Sequence, residues 1–371
     1  LQLIKRIEVL DDDRLDFFLH RADPVFPGYA VIGILPTAGI ASGIPFHKAP
    51  VGSGPFRLDD WPEAGRLRLT RISDGQAFEF QRIGDPTVRV LKLLRGEIDL
   101  LQNDLPAELI AYLEAQAGID VQLGRGSNFA YLGFNLADPV TGDHRVRLAV
   151  AHAIDRASII KHVLGGAART AASILPPEHW AGHTETDTVE YDPEKSRLLL
   201  HQAGYAADNQ LVLDYKTSTD PVRVRIATIM QQQLADVGIR MELRSFDWGT
   251  FFGDIKAGRF QMYSLMWVGI KTPNIFRYAF HSQSLPPGGA NRGRFDDRIA
   301  DQLIEQAESR KTLLSQAVGW RKVQSRLLQQ LPYVPLWYED HVFAAREGIS
   351  GYRLALDGNY DGLVDVQRNG L

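Results

Sequence analysis

An α/β protein built in two lobes is what this sequence predicts, and three observations predict it. The chain has 371 residues, 44% of them hydrophobic, more than one ordinary core accommodates. Strand-like and helix-like patterns alternate along its length with no long linker. The late apolar run LPYVPLWYEDHVFAAR needs a sheet to join, so the C-terminal segment is expected to return to the first lobe. Such a chain crosses between lobes at least twice, near GSNFAYLGFN and near LPYVPLWYEDH. Paired crossings act as a hinge, and the cleft between lobes is the expected place for a ligand.

The elements follow from local signals. Ile4 to Leu10 and Arg14 to His20 read as two strands joined at Asp11-Asp12-Asp13. The opening stretch LQLIKRIEVLDDDRLDFFLHRADP has no Met and begins inside a strand pattern, so the chain is expected to be a fragment or a processed form. VGSGPFRLDDW is a Gly-rich turn feeding a strand, and GRLRLTRI alternates with period two. GDPTVRVLKLLRGEIDLL is a helix with Asp85 as N-cap, Pro86 at its first position and Gly96 as its stop. AELIAYLEAQAG is a second helix, ending at Gly118, and Phe129 to Asn135 form an apolar strand. From Asp143 helices dominate: Asp155, Asp192 and Asp220 each cap one, and glycines end them. LVLDYKTS is a strand before the Asp220 helix, and IRMELRSF is a strand after it. WGTFFGDIKAG is a short helix leading to the buried strand Met262 to Val268, which breaks at Gly269. Two further helices, DDRIADQLIEQAES and KTLLSQAVGWRKVQSRLLQQL, precede the final strand.

Composition narrows the function. Net charge is -4 and no basic run or basic-aromatic stripe occurs, so nucleic acid is not an expected partner. With 0 Cys there is no disulfide framework, thiolate nucleophile or Cys-built zinc site. No apolar run approaches the roughly 20 residues that span a bilayer. His179 and His183 in HWAGH have helical spacing, but Pro176-Pro177 and Gly182 argue for a loop, and no HExxH frame is present. VGSGP lacks the frame of a nucleophile elbow, and neither a dinucleotide fingerprint nor a P-loop is found. No metal and no cofactor are expected.

PVGSGPFRL, YLGFNLADP, DHRVRLAVAHAIDRASIIKHVLGG, ILPPEHW, YDPEKSRLLLHQAGY, RIATIMQQQLADVGIRMEL, FDWGTFFGDIKAGRFQMYSLMWVG and LPYVPLWY occur in this order. The series resembles the extracellular solute-binding proteins of peptide/nickel-type ABC importers, the dipeptide- and oligopeptide-binding family 5. The resemblance implies a two-lobed periplasmic-binding fold of type II, in the large peptide-binding class, with hinge crossings. It implies that residues 1–135 form lobe I, 136–333 lobe II, and 334–371 the return to lobe I. Family members carry a further N-terminal stretch before the point where Leu1 aligns, so lobe I is expected to lack part of itself here.

The resemblance also implies where a ligand lies. Trp267, Val268, Gly269 and Ile270 correspond to the strand end along which an extended ligand pairs with main chain. From the residue alone, an interior tryptophan bridging sheet and helix is the commoner outcome for Trp267; the alignment reverses that. Peptide-binding members commonly carry an aspartate at the Ile270 position, pairing with the ligand's α-ammonium. Isoleucine cannot, and an unpaired desolvated ammonium is costly. Lys271 would repel a cation there if it faced the cleft, though solvation on the rim is the commoner fate. Ser127, Asn128 and Phe129 offer donor, acceptor and apolar groups, or else end a polar turn at Gly124-Arg125-Gly126-Ser127. Lys216, Thr217 and Ser218 end a strand at a helix N-terminus, where α/β proteins often bind ligands, or merely precede a cap. Arg223 could meet a ligand carboxylate, or be solvated on the first helical turn.

The expected function is therefore that of an extracytoplasmic, non-catalytic binding component. It would take a peptide or related small solute between two lobes and pass it to a membrane permease, acting as a monomer. It would be periplasmic or lipid-anchored, exported by a signal peptide outside this chain. Two alternatives remain open at the level of sequence: a hydrolase or transferase using the same cleft, and a regulatory or scaffold descendant of such a protein.

Overall fold

The computed structural model describes residues 3–31, 33–63, 65–183 and 188–369. Contacts divide the chain into two compact units. One comprises the residues up to Val25 together with Arg125–Asp340, and the other Phe26–Gly124 with the residues from His341 onward.

The first unit is a sheet with helices on both faces. Leu211–Ser218 lies between Ile239–Phe246 and Met262–Trp267, parallel to both, and the helix Pro221–Asp236 makes the crossover. Met262–Trp267 then pairs antiparallel with Ile119–Phe134, so the sheet is mixed. Period-two alternation sends successive side chains to opposite faces. One face buries Ala130, Leu132, Phe134 and Met262 against Val146, Val150, Ile226 and Met230 of two helices. The other buries Phe129, Tyr131 and Tyr263 against Phe251, Phe276, Ile304 and Trp320 of four more. A hairpin, Ile4–Asp11 with Arg14–Leu19, belongs to the same unit.

Helix starts match the local signals. Asp85, Asp155, Asp192 and Asp220 each accept a backbone N–H two or three positions into their helices, a contact of about 1 kcal/mol. Asp143, Asp247 and Asp297 do the same. Arg147 is buried and donates to the carbonyls of Thr141, Gly142, Gln330 and Leu331, which ties one helix start to the end of the Leu313–Gln330 helix. Desolvation pulls its pKa down to about 10.

Two expectations are corrected. The helix at Ala107–Glu114 stops before Gly118, which takes φ 78° in the turn beyond it. The strand expected from Phe129 begins at Ile119, and Gly124 to Ser127 lie inside it rather than in a turn. Its first half mixes Ile119, Val121 and Leu123 with polar residues and is only partly buried, so no continuous apolar run announces it. The Gly126 N–H and carbonyl are taken by the side chains of Asp340 and Arg169.

In the second unit Phe56–Glu63, Arg66–Arg71 and Ala77–Gln81 form an antiparallel sheet. The helices Pro86–Leu94 and Ala107–Glu114 bury Val90, Leu93 and Leu113 against Leu101 and Ala344. Arg71 donates to the carbonyls of Leu363, Val364 and Val366 and pairs with Asp74, which pins the C-terminal segment. Among the described residues no helix is long and apolar enough to cross a membrane.

Candidate functional site

The carboxyl ends of three parallel strands fall at one end of the first unit's sheet, at Ser218, Phe246 and Trp267. The neighbouring antiparallel strand reaches the same end at Phe129, which is paired with Trp267. Every candidate residue from the sequence therefore lies at or beside one edge of one sheet. Ligands of open α/β sheets bind outside the carboxyl ends of strands.

Trp267 is half-buried. Its ring stacks beside Tyr131 at 6.5 Å and meets Tyr278 edge-on at 6.2 Å. Its indole N–H is buried with no hydrogen-bond partner. Beyond it the chain leaves the sheet: Val268 is 64% exposed, Gly269 adopts φ 68°, and Ile270 packs back on the aromatic cluster. The left-handed conformation at Gly269 is the reason for glycine there. Ile270 puts a hydrocarbon where the resemblance anticipates a carboxylate.

Phe129 is buried in the core and lines a cavity of about 20 Å³ with Phe280, Gln324 and Tyr333, room for one water rather than a solute. Ser127 is also buried. The side chain of Asn128 projects to the opposite face from Phe129, and its Oδ1 is buried without a partner. On the next strands, Lys216 is engaged: its Nζ lies 2.8 Å from Asp254 Oδ2. Thr217 is buried, and Ser218 Oγ accepts the Asp220 N–H at 3.4 Å. Arg223 is not free on the helix surface; its Nη1 donates to Glu339 Oε1 at 3.0 Å. The structure thus brings Phe129, Trp267 and Ile270 together on one aromatic face, while Lys216 and Arg223 already hold acidic partners of the chain.

One residue at this end escaped the sequence reading. Arg292 lies in the loop PPGGANRGR, and its guanidinium carbon is 4.9 Å from the centre of the Trp267 ring and 5.3 Å from that of Phe252. A loop without periodicity gives no face assignment, so only an arginine between Asn291 and Gly293 marks it.

The two histidines of HWAGH serve separate contacts. His179 Nε2 lies 3.1 Å from the Lys271 carbonyl, and its Nδ1 accepts the Ala181 N–H, so the neutral Nε2–H tautomer satisfies both. Desolvation lowers its pKa, partly opposed by the Lys271 contact. His183 Nε2 instead meets Ser325 Oγ at 3.0 Å.

A mixed sheet layered by helices, with an aromatic, partly unsatisfied end at its strand termini, is the frame on which the comparisons with known proteins bear. The chain belongs to the bacterial extracellular solute-binding proteins of family 5, whose middle-region model matches residues 1–285. It is 27% identical over 372 residues to the di/tripeptide-binding protein 2 of Pseudomonas aeruginosa, covering 95% of this chain and 70% of that protein. It is 30% identical over 341 residues to the probable ABC transporter periplasmic-binding protein SapA of Escherichia coli, covering 84% of this chain and 59% of that one. Among solved structures, the periplasmic binding protein DppA of Helicobacter pylori, in complex with the peptide STSA, superposes with a TM-score of 0.83. That match has 25% identity and covers 100% of this chain and 75% of the other.

Proposed function

We propose that this chain binds a short peptide or a chemically related small solute outside the cytoplasm and delivers it to the permease of an ABC importer. The observation that carries the reading is the edge at Trp267. A half-buried indole with an unpaired N–H stands beside a chain end that leaves the sheet at Gly269, within a family whose relatives bear peptide-binding names. A buried unpaired donor costs stability unless a partner arrives, and an extended ligand is such a partner.

In this reading Trp267 to Ile270 form the contact strand, with Ser127, Asn128 and Phe129 shaping its neighbour. Lys216, Thr217, Ser218 and Arg223 contribute from the adjoining strand and helix, the two cations through their carboxylate partners. The proposal includes the lobes 1–135 with 334–371 and 136–333, closing on the solute. A ligand that contacts both lobes only when closed shifts the population by its differential affinity. The protein acts as a monomer, with no cofactor and no covalent step.

Native mass spectrometry of freshly purified protein, followed by thermal shift with di- and tripeptides, tests the reading. A retained small solute and an upward shift in Tm with at least one peptide class are expected. No retained solute, together with unchanged Tm across peptides of all lengths, would overturn it.

A further inference from the structure

We infer that Arg292 reads an anionic group, a carboxylate, on the solute, so that the acid end of the ligand rather than its ammonium end is recognised at the Trp267 edge. The inference rests on the solute-binding reading above and deepens it.

Arg292 is held in place by its neighbours. Asn291, buried, donates from Nδ2 to the carbonyls of His281 and Phe295 and accepts the Phe295 N–H. On the other side, Gly293 lies so close to the Phe134 carbonyl that a Cβ would sit 2.5 Å from it, and its own carbonyl accepts the Leu136 N–H. Two anchored residues fix the backbone, and the arginine side chain between them spans the gap from Phe252 to Trp267.

The rings then form a continuous series. Trp248 stacks on Phe252 at 5.3 Å and 7°, Arg292 lies over Phe252 and over Trp267, Trp267 neighbours Tyr131, and Tyr131 stacks on Tyr333 at 3.9 Å. Trp248 is 58% exposed at the outer end of this series. A guanidinium between two aromatic faces is stabilised and oriented, but its charge is not neutralised. Of its five N–H donors, one is used, from Nη1 to Tyr131 Oη at 3.2 Å. Among the described residues no carboxylate pairs with it; the groups acting on it are the hydroxyls of Tyr131, Tyr333 and Tyr263. Tyr263 Oη, Tyr333 Oη and the indole N–H of Trp267 are themselves buried without partners.

Lys216 and Arg223 are matched by Asp254 and Glu339, whereas this cation is left with donors to spare beside further unmatched donors. Lys256 adds a second positive charge 5.1 Å from the Phe252 ring. An incoming carboxylate satisfies both the charge and the spare fork of N–H groups. An ammonium would meet repulsion here, and Ile270 offers it nothing.

The test measures affinity on the whole chain by calorimetry with four probe mixtures: tripeptides with free ends, the same tripeptides N-acetylated, the same as C-terminal amides, and aromatic monocarboxylates that are not peptides. The free-acid and N-acetylated mixtures are expected to bind alike, and the amides about tenfold to a hundredfold more weakly. In Arg292→Gln the acids should fall to the level of the amides, with Arg292→Lys recovering part of the difference. If Arg292→Gln unfolds the protein, the acid-to-amide ratio of the wild type alone decides. Binding of the monocarboxylates through Arg292, with no peptide binding, would retain the anion assignment and discard the peptide reading. Equal affinity for acids and amides, undiminished acid binding in a folded Arg292→Gln, or no binding of any carboxylate would overturn the inference.

Discussion

The strand pair Ile119–Phe134 and Met262–Trp267 has two faces made by alternate residues of the same two segments, and they are built on opposite principles. On one face Ala130, Leu132, Phe134 and Met262 pack into hydrocarbon, and Asn128 Oδ1 is the buried polar atom left without a partner beside them. On the other, Phe129, Tyr131, Tyr263 and Trp267 gather a guanidinium and several buried polar atoms that lack partners. Hydrocarbon burial is worth about 25 cal/mol per Å² with no directional demand. Each unsatisfied hydroxyl or N–H costs stability instead. The contrast teaches which face is satisfied by packing alone and which keeps polar groups that packing does not satisfy.

The comparison predicts a ranking of effects. Phe134→Ala, on the hydrocarbon face, should cost about 3–5 kcal/mol in chemical denaturation, the usual toll of an aromatic cavity. Solute affinity of the folded fraction should stay within about twofold; a large affinity loss would mean the faces are not separable. Gly133→Ala places a Cβ 2.6 Å from the Tyr263 ring on the aromatic face, and the fully buried ring cannot yield, so a loss of about 1–3 kcal/mol is expected in the same measurement.

Tyrosines on the aromatic side should then divide by their hydrogen bonds. Tyr338 donates toward the carbonyls of Ser173 and Leu175, so Tyr338→Phe should destabilise by about 1–2 kcal/mol. Tyr333 Oη has no partner, so Tyr333→Phe should leave stability within about 1 kcal/mol of wild type or raise it. Equal losses for the two would show that the unpaired hydroxyl is satisfied in solution.

The smallest effect concerns pH. Burial lowers the pKa of His179 below its unfolded value near 6.5, so the native state binds its proton less readily than the unfolded chain does. Its share of stability is complete above that value and declines as pH falls through it toward the folded pKa. Protonation at Nδ1 also breaks the Ala181 contact, while the Nε2–H bond to the Lys271 carbonyl persists and favours the charged form. His144 and His152, also depressed by burial, titrate in the same direction, so the measurement is the difference between wild type and His179→Gln. That difference in Tm should narrow from pH 8 to pH 5; a constant gap would remove His179 from the titration.

Legibility followed locality. The caps at Asp85, Asp155, Asp192 and Asp220 could be read because a cap is settled within four residues of chain. The strand end at Trp267 and its break at Gly269 were equally plain, since a buried run followed by glycine needs no distant partner. The first half of Ile119–Phe134 was hidden because its short alternation of Ile, Val and Leu with polar residues runs into Gly124-Arg125-Gly126-Ser127, which reads as a turn until the strands beside it are known. Arg223 was legible as a cation but not as the partner of Glu339, which lies far along the chain.

By itself the sequence determined an α/β alternation, the helix starts at their Asp caps, the family, and an isoleucine at position 270 where the resemblance anticipates a counter-charge. Periodicity, capping and residue type are short-range properties, and they are written in the order of the amino acids. The tertiary structure alone decided which face of the strands stays unsatisfied, which cations are already matched, and that the arginine of an irregular loop lies against Trp267. Those outcomes depend on electrostatics and hydrogen bonding across a few ångströms between residues that sequence keeps far apart, and such distances exist only once the chain has folded.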